Sequence, residues 1–515
     1  MNNDNTILKK STSLGVLAIC GKILGFIKQA VIAWAFGANA LTDVFFAADG
    51  YASMFGQIMG QTVSPTVLTQ HIKLQSIDEK RSRAIIHNSY LFFGLLSLVV
   101  ILINCLFADQ ICTVIGLAYS PDQTKELGVF LVAMLPVMFF TSMAGVSTGY
   151  LDSFNRFVPG RLNTVFYSVS IILVVLMFRQ QIGLRSLLIG FLLGYILHMV
   201  YMLILVLPRV GVSISNPFKN PDFIVMIRRF VPLVIGISIV DLGHLIDKII
   251  ASSLEEGSVS SLYYGQVISS DVIIAVIISS VGSVLLPSLT RSVAEKTDCQ
   301  VIVTQIQKIM CTMTFVMVGI TALDFVEGVD LIRLFFQRGS FDASNTKTVA
   351  MIAVCYSTGF VFIANRDVLV RAHYAFQDTG SPMVNSLIGM GINVVLSIAL
   401  AHYMGVKGIA LATSITVAIV FILLVVTLKK HVHSIIVSQT CALDMMKSII
   451  ACVLTIMAGR MLFLFFHDAF FVIRLLVIGL MMSLFYFIIC IIIRQSTALD
   501  TVRLIKKELD HKWGV

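Results

Sequence analysis

The chain has 515 residues, 57% of them hydrophobic and only 13% charged, with 37 Lys and Arg against 28 Asp and Glu and a formal net charge of +9. A soluble domain carries about 25% charged residues and a spanning helix needs about 20 consecutive apolar ones. Disorder, a collagen-like repeat and a soluble enzyme built on one core are therefore excluded.

Taken in chain order, the apolar runs predict fourteen spans, near 12–35, 44–70, 87–107, 127–151, 161–178, 186–207, 229–253, 262–289, 302–323, 346–370, 383–402, 408–428, 446–466 and 470–493. The runs near 44–70 and 262–289 are more polar than the rest. No small-residue cleavage site follows the first run, so no signal peptide is expected. With the N-terminus inside, 23 Lys and Arg fall in inner loops and termini and seven in outer loops. This alternation places both termini in the cytoplasm and assigns the basic excess to the inner loops rather than to nucleic acid. The nine cysteines are scattered, with no C-x-x-C pair, which argues against a disulfide framework and a zinc site. Neither metal nor cofactor is expected.

Two proline spacings indicate an internal repeat. Pro65 and Pro287 are 222 residues apart, and Pro159 and Pro382 are 223 apart, in a chain with ten prolines. Six spans separate equivalent points, an even number, so both halves share one orientation. Parallel halves related by an axis along the membrane normal are a transporter architecture. The expected fold is an all-α polytopic membrane protein of fourteen transmembrane helices: two parallel six-helix halves, 1–220 and 221–430, and two additional C-terminal helices with a basic tail, 431–515.

Ionisable groups inside spans cost roughly 2.5–3.5 kcal/mol on insertion scales and face a bundle interior or a watery cavity. Span 1 carries Lys22 and Lys28, about 9 Å apart along a helix, and no acid accompanies them in that span. An acid from another span or an anionic ligand must compensate them, although Lys28 also lies within snorkelling reach of the outer interface. Asp43, after Thr42, reads as a helix N-cap or as part of a site. Asp49 lies deeper and is a candidate counter-ion for the lysines. In span 7, Asp241, His244 and Lys248 recur at i, i+3 and i+7 on one stripe, with Asp247 beside them. The stripe reads equally as an ion-coupling or proton-relay site and as an internal salt bridge. Span 8 adds a polar band of Gln266, Ser269, Ser270 and Asp271, and Arg474 in span 14 is isolated. Glycine pairs at 21/25, 56/60 and 190/194 fit close helix packing. The GVSTG at 145–149 has the form G-x-S-x-G but sits inside an apolar span with no strand before it. A phosphate-binding G-x-x-x-x-G-K-[ST] loop is missing, and nothing reads as an enzyme.

Several stretches resemble the MurJ (MviN) family of lipid II flippases, within the multidrug/oligosaccharidyl-lipid/polysaccharide exporter group. They are GKILGFIK at 21–28, FGANALTDVFF at 36–46, GSVSSLYY at 257–264, LLPSL at 285–289, RGSFD at 338–342 and RAHYAFQD at 371–378. Together with the order of the spans, the likeness covers nearly the whole chain. It implies a bacterial inner-membrane transporter that moves a polyprenyl-diphosphate-linked peptidoglycan precursor outward by alternating access, without ATP. The family's span-1 arginines fall on Lys22 and Lys28, which keeps positive charge but loses the bidentate fork of Arg. Its aspartate at the head of span 2 falls on Asp43. Its paired span-2 arginines fall on Gly56 and Gln57, and its span-8 acid, arginine and glutamate fall near Gln266, Val267 and Ser270.

The resulting expectation is a flippase for a lipid-linked saccharide, lipid II first. Lys22 and Lys28 would hold the diphosphate, Asp43 and Asp49 would set the lysine charges, and Gln57, Gln266 and Ser270 would line the path. A monovalent cation or proton and the cell-wall synthesis machinery are candidate partners. A flippase for another lipid-linked glycan (exopolysaccharide, capsule or O-antigen), a cation-coupled multidrug exporter and a non-transporting envelope scaffold are the alternatives.

Overall fold

A computed structural model of the chain describes residues 2–75, 77–211, 213, 216–269, 285, 289, 291–293, 295, 298–432, 436–466 and 470–503. The described residues form helices and no strand. Among the described residues, ten helical segments are long and apolar enough to cross a membrane, eleven if the pair Ala343–Ser357 and Phe360–Ala375, bent by 44°, counts as one span. The chain is therefore an all-α, multi-span membrane protein. The other expected spans are the first two long helices and the run near 262–289, most of which lies outside the described residues.

The first unit comprises residues 1–260 and 338–342. Its long helices are α1 (Asn2–Phe36), α2 (Ala40–Gln75) and α3 (Glu79–Leu106), followed by the short α4 (Ala108–Ile115). Then come α5 (Pro121–Met134), α6 (Val137–Ser153), α7 (Val158–Arg161), α8 (Asn163–Ile182), α9 (Arg185–Val210) and α10 (Pro221–Ala251). Helix α11 (Ser258–Gln266) has its first turn in this unit. Local chemistry sets several starts: Asp78 accepts from Lys80 N and Arg81 N ahead of α3, Ser120 and Gln123 form a capping box on α5, and Asn220 caps α10.

Helix α2 is the hub of this unit, packed on α6 and α10. Met59, Val63 and Val67 of α2 share one core cluster with Phe93 of α3, Val146 of α6, Met202 of α9 and Met226 of α10. The G-x-S-x-G stretch is a packing device. A Cβ on Gly149 would stand 2.6 Å from the Ser64 carbonyl oxygen, and one on Gly145 would stand 3.3 Å from Val63 Cβ. Gly190 and Gly194 likewise let α9 reach the α8 backbone, where a Cβ would come within 2.7 Å of Ile171 Cα and 2.6 Å of Tyr167 Cα. The other two glycine pairs do not make such approaches: Gly25 and Gly60 have open space beside them.

The second unit comprises residues 261–337 and 343–515. Its described helices are α12 (Cys299–Phe336), α13 (Ala343–Ser357), α14 (Phe360–Ala375), α15 (Gly380–Met404), α16 (Val406–Val432), α17 (Gln439–Phe465) and α18 (Phe471–Ile492). Between α13 and α14 the backbone passes close to α16: a Cβ on Gly359 would lie 2.7 Å from Ser414 Oγ, and that hydroxyl donates to the Cys355 carbonyl at 2.8 Å. The last two helices pack on α12 through a cluster that includes Ala322, Val326, Ala451, Ile478 and Met482.

Candidate functional site

Asn39 accepts from Leu41 N at 3.0 Å and Thr42 N at 3.2 Å, so α2 is capped without help from Asp43. The Asp43 carboxylate, 3% exposed, turns instead to the first turn of α11. It accepts from Gly257 N at 2.7 Å, Ser260 N at 2.7 Å and the Ser260 hydroxyl at 2.6 Å. The capping chemistry read from the sequence is real, but the helix that Asp43 caps is α11 and not its own. Gly257 sits at φ +85°, with its Cβ position 3.1 Å from the Ala38 carbonyl oxygen. The ANALTD and GSVS stretches are therefore two sides of one joint. The RGSFD stretch closes on the end of α1 in the same unit, with Ser340 N donating to Trp34 O at 3.0 Å.

Asp49 is buried and accepts from Ser53 Oγ at 2.7 Å. Lys248 of α10 reaches into this region: a Cβ on Gly50 would stand 2.7 Å from Lys248 Nζ, and Nζ donates to Phe46 O at 3.4 Å. Asp49 is a charge that acts on it. In the span-7 stripe, Asp241 is half-buried with Oδ2 lacking a hydrogen-bond partner among the described residues, His244 is exposed and Asp247 is buried. The members thus meet different surroundings, and Lys248 is directed at α2.

Lys28 is buried, and its Nζ lies 4.1 Å from the ring centroid of Tyr167 on α8, a cation–π contact. Lys22, two turns earlier, is half-buried. The Tyr167 ring is 5.2 Å from that of Tyr195, and Tyr195 lines a cavity of about 590 Å³ within the first unit. Gln57, Gln61 and Ser64 of α2 line one side, Thr141 and Thr148 of α6 another, and Arg161, Asn163 and His198 complete a polar wall. Pro65, also in the lining, lacks the N–H that would bond the Gln61 carbonyl inside α2. Asp152, 9% exposed, and Asn163 each leave an Oδ1 buried with no hydrogen-bond partner among the described residues. His198 donates from Nε2 to Pro159 O at 3.2 Å. The cavity is thus rich in acceptors and hydroxyls, suited to a head group bearing many O–H and N–H groups.

Of the residues expected from the sequence, Gln57 lines this cavity, whereas Lys22, Lys28, Asp43 and Asp49 do not. Gln266 is half-buried at the end of α11, and Ser270 lies outside the described residues. Sequence reasoning missed Asp152, Asn163 and His198. The available signal is Asp152, an acid directly after the fourth expected span at 127–151.

In the second unit the stretch at 371–378 is a structural lock. His373 is fully buried, with Nδ1 3.1 Å or less from its own helix and Nε2 on Thr427: the distances are 2.9 Å to Leu369 O and 3.1 Å to Thr427 Oγ1. Asp378, in the turn after α14, accepts from Ser381 N at 2.9 Å and pairs with His431 Nε2 at 2.9 Å. Burial pushes its carboxyl upward, but the Ser381 N–H and hydroxyl and His431 outweigh this and hold it well below the usual carboxylate range. Arg474 is not isolated as its span suggested. Its guanidinium forks onto Asp330, with Nε–Oδ2 at 2.7 Å and Nη2–Oδ1 at 2.8 Å.

The family model for the lipid II flippase MurJ matches residues 32–481. The chain belongs to the MurJ lipid II flippase family. A probable lipid II flippase MurJ of Rhizobium tropici is 26% identical over 442 residues, covering 83% of this chain and 82% of that protein. The Vibrio cholerae protein of the same description is 25% identical over 438 residues, covering 80% of each. Among solved structures, a lipid II flippase MurJ in an inward closed conformation matches with a TM-score of 0.76 at 18% identity, over 92% of this chain and 97% of that one. An inward-facing multidrug resistance MATE transporter matches with a TM-score of 0.64 at 11% identity, over 82% and 99%. The fold of this MurJ family member is thus shared with exporters of other cargo, and fold alone does not name the substrate.

Proposed function

We propose that this chain translocates lipid II across the bacterial inner membrane by alternating access. The observation that carries the reading is the family match across residues 32–481, joined by relatives described as probable lipid II flippases over four fifths of their own length. In this reading both termini are cytoplasmic. Lys22 and Lys28 attract the diphosphate, Asp43 fixes the α2–α11 joint, and the Gln57 cavity receives part of the saccharide–peptide head group. Gln266 and Ser270 line the path, and a monovalent cation or proton drives the cycle through the region of Asp241, His244 and Lys248. Contact with cell-wall synthesis proteins belongs to the same proposal.

The deciding experiment is complementation in a bacterium depleted of its own lipid II flippase. Growth with normal shape supports lipid II as cargo. Failure, with the protein verified in the membrane, overturns it. One observation favours a second reading, a flippase for another lipid-linked glycan: Gly56 and Gln57 give the cavity wall no positive charge where the family resemblance implies two arginines. Restoration of polysaccharide export in a strain lacking that flippase would favour the second reading.

A further inference from the structure

Helix α12 carries Asp324, Glu327 and Asp330 at i, i+3 and i+6, along one face, and they are 5, 4 and 3% exposed. Asp330 is matched by Arg474 of α18, which gives it two hydrogen bonds. Asp324 and Glu327 have no such match. Three of their four carboxylate oxygens, Asp324 Oδ2 and both oxygens of Glu327, are buried without a hydrogen-bond partner among the described residues. Beside them the wall is notched: a Cβ on Gly328 would come within 3.3 Å of Asp324 Oδ1.

The helices packed on α12 bring limited compensation. Arg474 also acts on Glu327 but is held by Asp330. From α17, Arg460 donates to the Phe325 carbonyl at 3.0 Å. Helix α13 presents Val354 beside Gly328 and the Ser357 hydroxyl to Asp324. Helix α14 meets α12 through Asn365, which donates to Thr314 at 2.9 Å, and α16 offers Ser414, bonded to Cys355 O. Cys452, Tyr486 and Cys490 are the remaining titratable groups in the apolar cluster that contains Val326.

Two carboxylates one helical turn apart in a low-dielectric interior repel each other, and burying either one without a partner is costly. One positive charge shared between them relieves both penalties. We propose that Asp324 and Glu327 form a binding site for a single small cation, a proton or an alkali-metal ion, with the missing side chain of Gly328 leaving it room. No convergence of three His, Cys, Asp or Glu suited to a metal is found among the described residues. The site lies within the second unit, on residues apart from the Gln57 cavity and the span-7 stripe.

The test is thermal unfolding of the purified full chain in detergent, in choline chloride with or without added Na⁺ or K⁺ at one pH, and in choline alone over about pH 5–8. A ligand that binds only the native state raises the midpoint as its concentration rises. Stabilisation by an alkali cation that disappears in Asp324→Asn with Glu327→Gln assigns a metal ion. Stabilisation by acid alone that disappears in the same variant assigns a proton. Gly328→Ala, which keeps every charge, should weaken an alkali-ion response about tenfold, and it serves if the double variant does not fold. No cation dependence, or the same dependence in the double variant, overturns the proposal. The measurement uses no lipid substrate, so its outcome is independent of the lipid II reading.

Discussion

Asp43 and Ser260 stand 217 positions apart and are joined twice, by the Ser260 backbone N–H at 2.7 Å and its hydroxyl at 2.6 Å. With the Gly257 N–H, one carboxylate serves three buried donors at the head of α11. Asp43→Ala leaves the Gly257 and Ser260 N–H groups without an acceptor, at about 1–3 kcal/mol for each buried unsatisfied group, while the Ser260 hydroxyl keeps the Gly257 carbonyl at 3.2 Å. Ser260→Ala removes the hydroxyl's bonds to Asp43 and to the Gly257 carbonyl and leaves the two backbone bonds to Asp43. Thermal unfolding of the purified protein should therefore show a large fall in midpoint for Asp43→Ala and a small one for Ser260→Ala. Equal midpoints in Asp43→Ala and wild type would refute the capping role.

The span-1 lysines should separate by chemistry rather than by stability. Lys28 lies over the Tyr167 ring, a contact that Arg also makes and to which it adds a bidentate fork for a diphosphate. Lys28→Arg is expected to support growth in a flippase-depleted strain, and Lys28→Met to abolish it at normal membrane levels. Lys22→Ala should likewise abolish transport while the protein still inserts. Wild-type rates in Lys22→Ala would remove that residue from the substrate path.

Much of this architecture was legible because a bilayer allows few solutions for the backbone: long apolar runs must become helices. The site was less legible because partners lie far apart in sequence. Arg474 looked isolated since Asp330 is 144 residues away. Asp324 and Glu327 are not legible because the ninth apolar run ends at 323, whereas α12 continues to Phe336. Charged residues usually mark the end of a span, and here tertiary packing buries them instead. Asp43 showed the converse: its type predicted a cap, and Asn39 had already taken the local one.

Close packing at α2–α6 predicts a graded response at two glycines. A Cβ at Gly149 meets backbone, 2.6 Å from Ser64 O, while at Gly145 it meets the Val63 side chain at 3.3 Å. Backbone cannot yield as a side chain does, and overpacking costs typically about 1–3 kcal/mol. Gly149→Ala should lower the unfolding midpoint clearly and Gly145→Ala only slightly. The reverse order would contradict the packing described.

The Asp378 lock has a defined pH signature. Its folded carboxyl titrates below the unfolded one, so its contribution is complete above the unfolded value, about pH 4, and is lost as pH falls through the folded value. At pH 7, Asp378→Asn should destabilise the chain by about 1.5–3 kcal/mol, the range for a hydrogen bond to a charged group. Unfolding midpoints of variant and wild type should stay separated down to about pH 4 and then converge. A gap that does not narrow below about pH 4 would show that the carboxylate is not the stabilising form.

The Arg474–Asp330 pair separates a structural ion pair from a stabilising one. The Arg474 guanidinium also lies over Phe463, 4.3 Å from the ring centroid. Removing one member strands a buried charge, which costs about 3–5 kcal/mol, whereas replacing both by apolar residues of similar volume is often neutral or stabilising. Arg474→Met alone should therefore be poorly stable, because Asp330 joins Asp324 and Glu327 as a third unmatched acid on α12. Arg474→Met with Asp330→Leu should recover most of the loss. Unfolding midpoints of the two single variants, the double variant and wild type give the coupling directly. If the double variant is no better than Arg474→Met, the cost comes from the lost guanidinium stacking on Phe463 and not from the stranded carboxylate.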